Sequence, residues 1–259
     1  MNLKTAYPTP EHERAADAVV HFFASLPEAE AVLLVNSCAR GQATTDSCLD
    51  VAVLVTPEAL ASHQKELDTL WHEFLASDTT FARLRRVGRF SVVHFDYFDG
   101  GSVPTTWDDG GGPDAFELEI GNRLAYSVPL WERSNRLARL KAEWLPYYGK
   151  ELRRQRLAMV QSACLEDLDH IAGYAKRGLY FAAFDRLYKA LQEFLQALFI
   201  SREVYPIAYN KWIRQQVVEL LGLPEIYRRL PPLLQVSRLE SDEVVGKAGA
   251  LRALVLELK

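Results

Sequence analysis

The sequence predicts an α+β domain followed by an all-helical bundle, and three observations predict it. Helix and strand signals alternate up to about residue 131. Strand signals nearly vanish from about Glu132 onward. The segments after that point keep helical spacing and are joined by short connections. A length of 259 residues fits two domains or one large one; the change in signal places two, at 1–131 and 132–259.

Thr9-Pro10-Glu11 opens the first helix: Thr caps, Pro suits the first helical position and Glu complements the dipole. The helix runs to about Ser25 and Pro27 ends it. AVLLVN (31–36) and LDVAVLV (49–55) are short apolar runs of the kind that form buried strands. Thr56-Pro57-Glu58 repeats the helix start, with the helix reaching about Ala76. RFSVVHFDYF (89–98) is a third strand, rich in β-branched and aromatic residues. FELEIGNRLAYSV (116–128) reads as a fourth, bent at Gly121. The Gly-rich, acidic stretch 99–114 between them reads as a mobile loop.

In the second half, residues 150–177 place Leu157, Val160, Cys164, Leu168 and Ile171 on one helical face. Gly178, after Lys176-Arg177, marks its C-terminus. The next helix, to about Ser201, spaces Tyr180, Phe184, Leu187, Leu191, Phe194, Leu195 and Leu198 along one stripe. Further helices are expected at 208–221, 224–234 and 240–258, together an antiparallel bundle.

Composition narrows the function. The chain is 49% hydrophobic and 25% charged, which excludes a disordered polypeptide. A net charge of −4 argues against nucleic-acid binding through a strongly basic surface, while leaving room for a local basic pocket. The cysteines are Cys38, Cys48 and Cys164. An odd number, widely spaced and without CxxC, marks neither a disulfide framework nor a zinc site. The N-terminus lacks the apolar stretch of a signal peptide and no run is apolar enough to span a membrane, so a cytoplasmic protein is expected.

The chemistry concentrates in residues 36–50, NSCARGQATTDSCLD. A polar loop with small residues and Gly41 lets backbone N–H groups and the Ser37 hydroxyl approach phosphate oxygens. Cys48 and Asp50, two residues apart at a strand entry, project to the same side. This stretch resembles the nucleotidyltransferases of the polymerase-beta superfamily, whose minimal and aminoglycoside-modifying branches read like GSYARGEATPDSDIDLLV. Ser37, Ala39-Arg40-Gly41, Ala43, Asp46-Ser47 and Asp50 fall in register over about twenty residues. Two positions depart: Asn36 replaces Gly, and Cys48 replaces the first Asp of the pair.

The resemblance implies a small mixed sheet with flanking helices, followed by a helical C-terminal domain. It implies ATP or another NTP as substrate, with Mg²⁺ held by carboxylates. A nucleoside monophosphate would pass to the hydroxyl of a small molecule, releasing pyrophosphate. Ser37 and Arg40 would contact phosphates and Asp50 the metal. Cys48 stands at the lost metal-ligand position, with Asp46 as a substitute. Asp96 is the candidate third carboxylate, as metal ligand or general base, and His94 the second choice of base. Glu117 and Glu119, alternating on the expected fourth strand, read as solvated charges.

In the helical half, YPIAYNKWIRQQ (205–216) resembles the segment that supplies a lysine to the triphosphate. Lys211 would fill that role, with Tyr209 or Trp212 packing beside it. Arg186 and Lys189 read as a solvated face. His170 has no Arg at the spacing of the helical RNases that accompany minimal members. The alternatives to an active transferase are a degenerate nucleotide- or partner-binding member and a protein-modifying, antitoxin-like one. Oligomeric state stays open.

Overall fold

The computed structural model describes residues 6–105 and 108–258; Thr106 and Trp107, within the expected 99–114 loop, lie outside them. The protein is α+β and divides into two compact units. The first comprises Met1–Ser102 and Asn122–Leu145, the second Val103–Gly121 and Pro146–Lys259. The division expected at 131/132 thus falls at 145/146, and residues 103–121 belong with the second unit.

The first unit is built on a four-stranded mixed sheet: β1 (Ala29–Leu34), β2 (Leu49–Val55), β3 (Val93–Phe98) and β4 (Val128–Glu132), in the order β3-β2-β1-β4. β1 pairs antiparallel with β2 and β4, and β2 pairs parallel with β3. Every residue of β2 is buried except Asp50, which is half-buried. A strand covered on both faces reads as a continuous apolar run, and Asp50 is the one polar residue within it.

Helix α1 (Pro10–Ser25) starts as the sequence predicts, with Thr9 accepting from the His12 N–H and Pro10 at the first position. It packs Val19 and Phe23 against Val32, Val51 and Val53 of the sheet. A four-residue turn, α2 (Asn36–Ala39), follows β1. The helix expected from Thr56 to Ala76 is a π-helical turn over 59–63 followed by α3 (Gln64–Ser77). A short helix, α4 (Thr79–Leu84), is capped by Asp78 through the Thr80 N–H. Phe23, Trp71, Phe81 and Phe95 form an aromatic cluster in this core, with neighbouring ring centroids 4.9–5.6 Å apart.

Two strand assignments need correction. β3 begins at Val93 and not at 89. The residues before it turn back onto the 44–47 loop: the Arg89 N–H donates to Asp46 at 3.0 Å and the Ser91 hydroxyl to the Thr45 carbonyl at 2.6 Å. The expected fourth strand at 116–128 is instead helical. α5 (Phe116–Ile120) continues into a π-helical turn over 121–125, and β4 starts only at Val128. FELEI alternates like a strand, but Phe116, Ile120 and Leu124 also recur every four residues, and those three are buried. Asp114 accepts from the Phe116 N–H at 3.1 Å and starts the helix. Gly121 continues it in right-handed helical conformation, so no bend occurs there. α6 (Arg136–Trp144) completes the first unit.

The second unit contains helices and no strand among the described residues. α7 (Lys150–Lys176) and α8 (Tyr180–Ser201) are joined across Gly178, whose φ of +73° suits a glycine just past a helix end. They pack Leu168, Ile171, Leu187, Phe194 and Leu198 with Leu251 and Leu254 of α10 (Glu243–Glu257). α9 (Pro224–Leu234) occupies the predicted range. The helix expected from 208 does not form there. Residues 205–212 are a loop, and a helical stretch begins only at Ile213.

Candidate metal centre and its loop

The site in the first unit grows from the turn between β1 and β2. Asn36 leaves β1 with φ +57° and Gly41 follows with φ +67°. Asn tolerates this left-handed conformation better than most residues. Three hydrogen bonds hold the return into β2. Buried His12 donates through Nε2 to the Ser47 carbonyl at 2.9 Å while its Nδ1 accepts from the Thr9 hydroxyl at 2.8 Å. The Cys38 thiol donates to the Cys48 carbonyl, and the Val35 N–H donates to the Asp50 carbonyl at 3.0 Å. Burial first, then the neighbouring Asp50 and Cys48, push the Cys38 thiol up to about 12, so it stays protonated as a donor. Nothing in the local pattern of His12 marks this role; it depends on a contact 35 residues away.

Parallel register sets Asp50 opposite His94. Donor atoms of Cys48, Asp50 and His94 all lie within 4.8 Å of one another. His94 Nδ1 stands 3.6 Å from Asp50 Oδ1, with the imidazole two-thirds exposed at 67% and the Asp50 side chain at 15%. Asp96 is opposite Ala52, two residues further along β3 and exposed. That is about 6.6 Å of strand rise from His94. The register therefore brings His94, and not Asp96, to the Cys48–Asp50 pair. Asp46 is occupied by the Arg89 N–H.

Arg40 lies beside this group. Its guanidinium donates to the Gln42 and Asn122 side-chain oxygens, each at 3.4 Å. Burial lowers its pKa, and the charges of Asp50 and Tyr126 work in the opposite sense. Ser37 is half-buried in α2, one residue before Cys38.

The donor set does not match Mg²⁺. That ion takes hard oxygen ligands in near-octahedral geometry, whereas only one of the three donors here is an oxygen. A thiol and an imidazole suit softer ions.

In the second unit Lys211 is exposed, and its carbonyl accepts from Gln216 at 2.8 Å. Trp212 beside it is 43% exposed and holds a φ of +58°, while Tyr209 is buried in the bundle core. Gln216, itself buried, shapes this loop: its Oε1 accepts from the Ile207 N–H at 2.6 Å and the Ala208 N–H at 3.3 Å, and its Nε2 also donates to the Ala208 carbonyl at 2.7 Å.

The same unit corrects two surface assignments. Glu117 is fully buried and not a solvated charge. Its carboxylate accepts from Arg156 at 2.8 and 3.0 Å, from the Tyr148 hydroxyl at 2.7 Å and from Gln196 at 2.7 Å. Arg156 also binds Asp114 through two hydrogen bonds, at 2.6 and 2.7 Å. Burial raises the Asp114 carboxyl, but the bonds and charge of Arg156, with help from the Phe116 N–H and Gln196, outweigh it and hold Asp114 below its ordinary value. Arg186 is likewise no solvated face, since it pairs with buried Asp167 and with Asp109; Lys189 pairs with Asp185 at 2.7 Å. Asp114, Glu193 and Gln196 line a cavity of about 200 Å³ together with Thr105, Gly112 and Met159.

No protein-family model matches the chain, and no curated protein sequence matches it. No helix among the described residues is long and apolar enough to cross a membrane.

Proposed function

We propose that this chain has a nucleotidyltransferase-type fold and binds a nucleoside triphosphate at the β1–β2 loop, with Mg²⁺-dependent nucleotidyl transfer largely lost. One observation carries the reading: a loop in register with the family motif delivers Cys48 and Asp50 to one place, with a single carboxylate among the donors gathered there. The mixed sheet, with β2 between an antiparallel β1 and a parallel β3, agrees with that fold. Ser37 and half-buried Arg40 are the phosphate contacts in this reading. A phosphate oxygen offers Arg40 a stronger, charge-assisted partner than the two amide oxygens it reaches at 3.4 Å.

Transfer to a small-molecule hydroxyl needs the carboxylate pair, so Cys48→Asp is expected to raise Mg²⁺-dependent pyrophosphate release from an NTP. An unchanged rate removes position 48 from the reaction centre. The parent chain is expected to gain thermal stability with one NTP, and Arg40→Ala to lose that gain. If no NTP shifts the melting temperature, the nucleotide reading fails.

A further inference from the structure

We propose that Cys48, Asp50 and His94 form a three-donor site for a divalent cation of borderline softness, Zn²⁺ being the ion that suits one sulfur, one nitrogen and one carboxylate oxygen together. Metal binding here needs no nucleotide and stands apart from the reading above. The spacing of the cysteines gives no sign of it, because a single cysteine contributes and its companions come from two paired strands.

The backbone places the donors before any ion arrives. Cys48 and Asp50 alternate on one side of the β2 entry, and both carbonyls are held from the opposite strand and turn, by Cys38 and by Val35. The Leu49 N–H donates to the Val92 carbonyl at 2.9 Å, which locks β3 in register and sets His94 across from Asp50. Donors bonded to one tetrahedral ion at about 2.0–2.3 Å lie about 3.3–3.6 Å apart. The His94–Asp50 separation of 3.6 Å already meets that spacing. The wider limit of 4.8 Å for the full trio asks for about 1 Å of closure, which rotation of the donor side chains about their own bonds supplies. Three protein ligands leave a fourth position for water or an oxygen anion, the arrangement of an open zinc site. Binding takes up the thiolate form of Cys48 and releases its proton.

Co²⁺ is the probe, added to the full-length chain with its thiols reduced and no nucleotide present. The expected result is one equivalent of bound Co²⁺ with a near-ultraviolet thiolate-to-metal absorption band. Zn²⁺ displaces it, and a large excess of Mg²⁺ does not. Cys48→Asp is expected to keep Co²⁺ binding while losing the thiolate band. His94→Ala is expected to weaken binding by more than the roughly 10–100-fold that loss of an outer-shell partner costs. Circular dichroism checks that each variant keeps its secondary structure. A parent chain without the thiolate band overturns the site, as does a band that survives in Cys48→Asp. Co²⁺ binding with no thermal response to any NTP leaves the metal site standing and removes the nucleotide reading.

Discussion

Arg156 is the buried cation that two carboxylates of the second unit share. It is buried, and its five N–H donors face two carboxylates, Asp114 and Glu117. Removing one member of such a cluster costs more than replacing it whole, because the remaining charges lose their partner in a poorly hydrated place. Arg156→Met is expected to lower the unfolding free energy by about 3–5 kcal/mol. Arg156→Met combined with Glu117→Leu should recover a large part of that loss, and urea unfolding of both variants measures the difference. A double variant no more stable than the single one would show that the cost lies in lost packing. Cys48 and Asp50 were legible as a pair because alternation along one strand is local. The choice of His94 over Asp96 was not, because both sit on one face of β3 and only the parallel register tells them apart. Glu117 was invisible as a buried charge, since its partner lies 39 residues away.

Among elements, those whose ends are written locally were legible. α1 carries its Thr cap and first-turn Pro, α7 its terminal Gly, and β2 an apolar run interrupted only by Asp50. The segment 116–128 reads as a strand because its apolar residues satisfy both a two-residue and a four-residue repeat; the four-residue set, Phe116, Ile120 and Leu124, is the one that is buried. The 205–212 loop failed for another reason. Its backbone groups are satisfied by one side chain that comes later in the sequence, Gln216, which accepts two N–H bonds and donates to two carbonyls. Gln216→Leu removes these four hydrogen bonds, at about 1–3 kcal/mol for each group that water cannot reach. The expected outcome is faster amide exchange at Ile207 and Ala208 and a lower melting temperature, with the α7–α8 amides exchanging as before. Unchanged protection at Ile207 and Ala208 would mean that the loop holds without Gln216.

At the scale of the whole molecule, acid stability follows from the same carboxylates. Asp114 has a folded pKa below its unfolded value of about 3.9. The folded state therefore binds fewer protons than the unfolded one in that range. The stability Asp114 contributes is fully present above the unfolded value and is lost as pH falls through the folded one. Asp167 runs the other way: burial raises its carboxyl despite Arg186, so its contribution is present at low pH and is lost as pH rises through its raised folded value. Asp114→Asn is expected to reduce the loss of stability between pH 7 and pH 3, read as urea midpoints; an unchanged pH slope would assign acid lability to other groups. The chain also enters the helical unit twice, first at 103–121 and again from 146, and this orders events during synthesis. Glu117 leaves the ribosome 39 residues ahead of Arg156, roughly 2–8 s earlier at about 5–20 residues per second. For that interval its carboxylate stays hydrated, and the nascent helix that carries it waits for a partner not yet made.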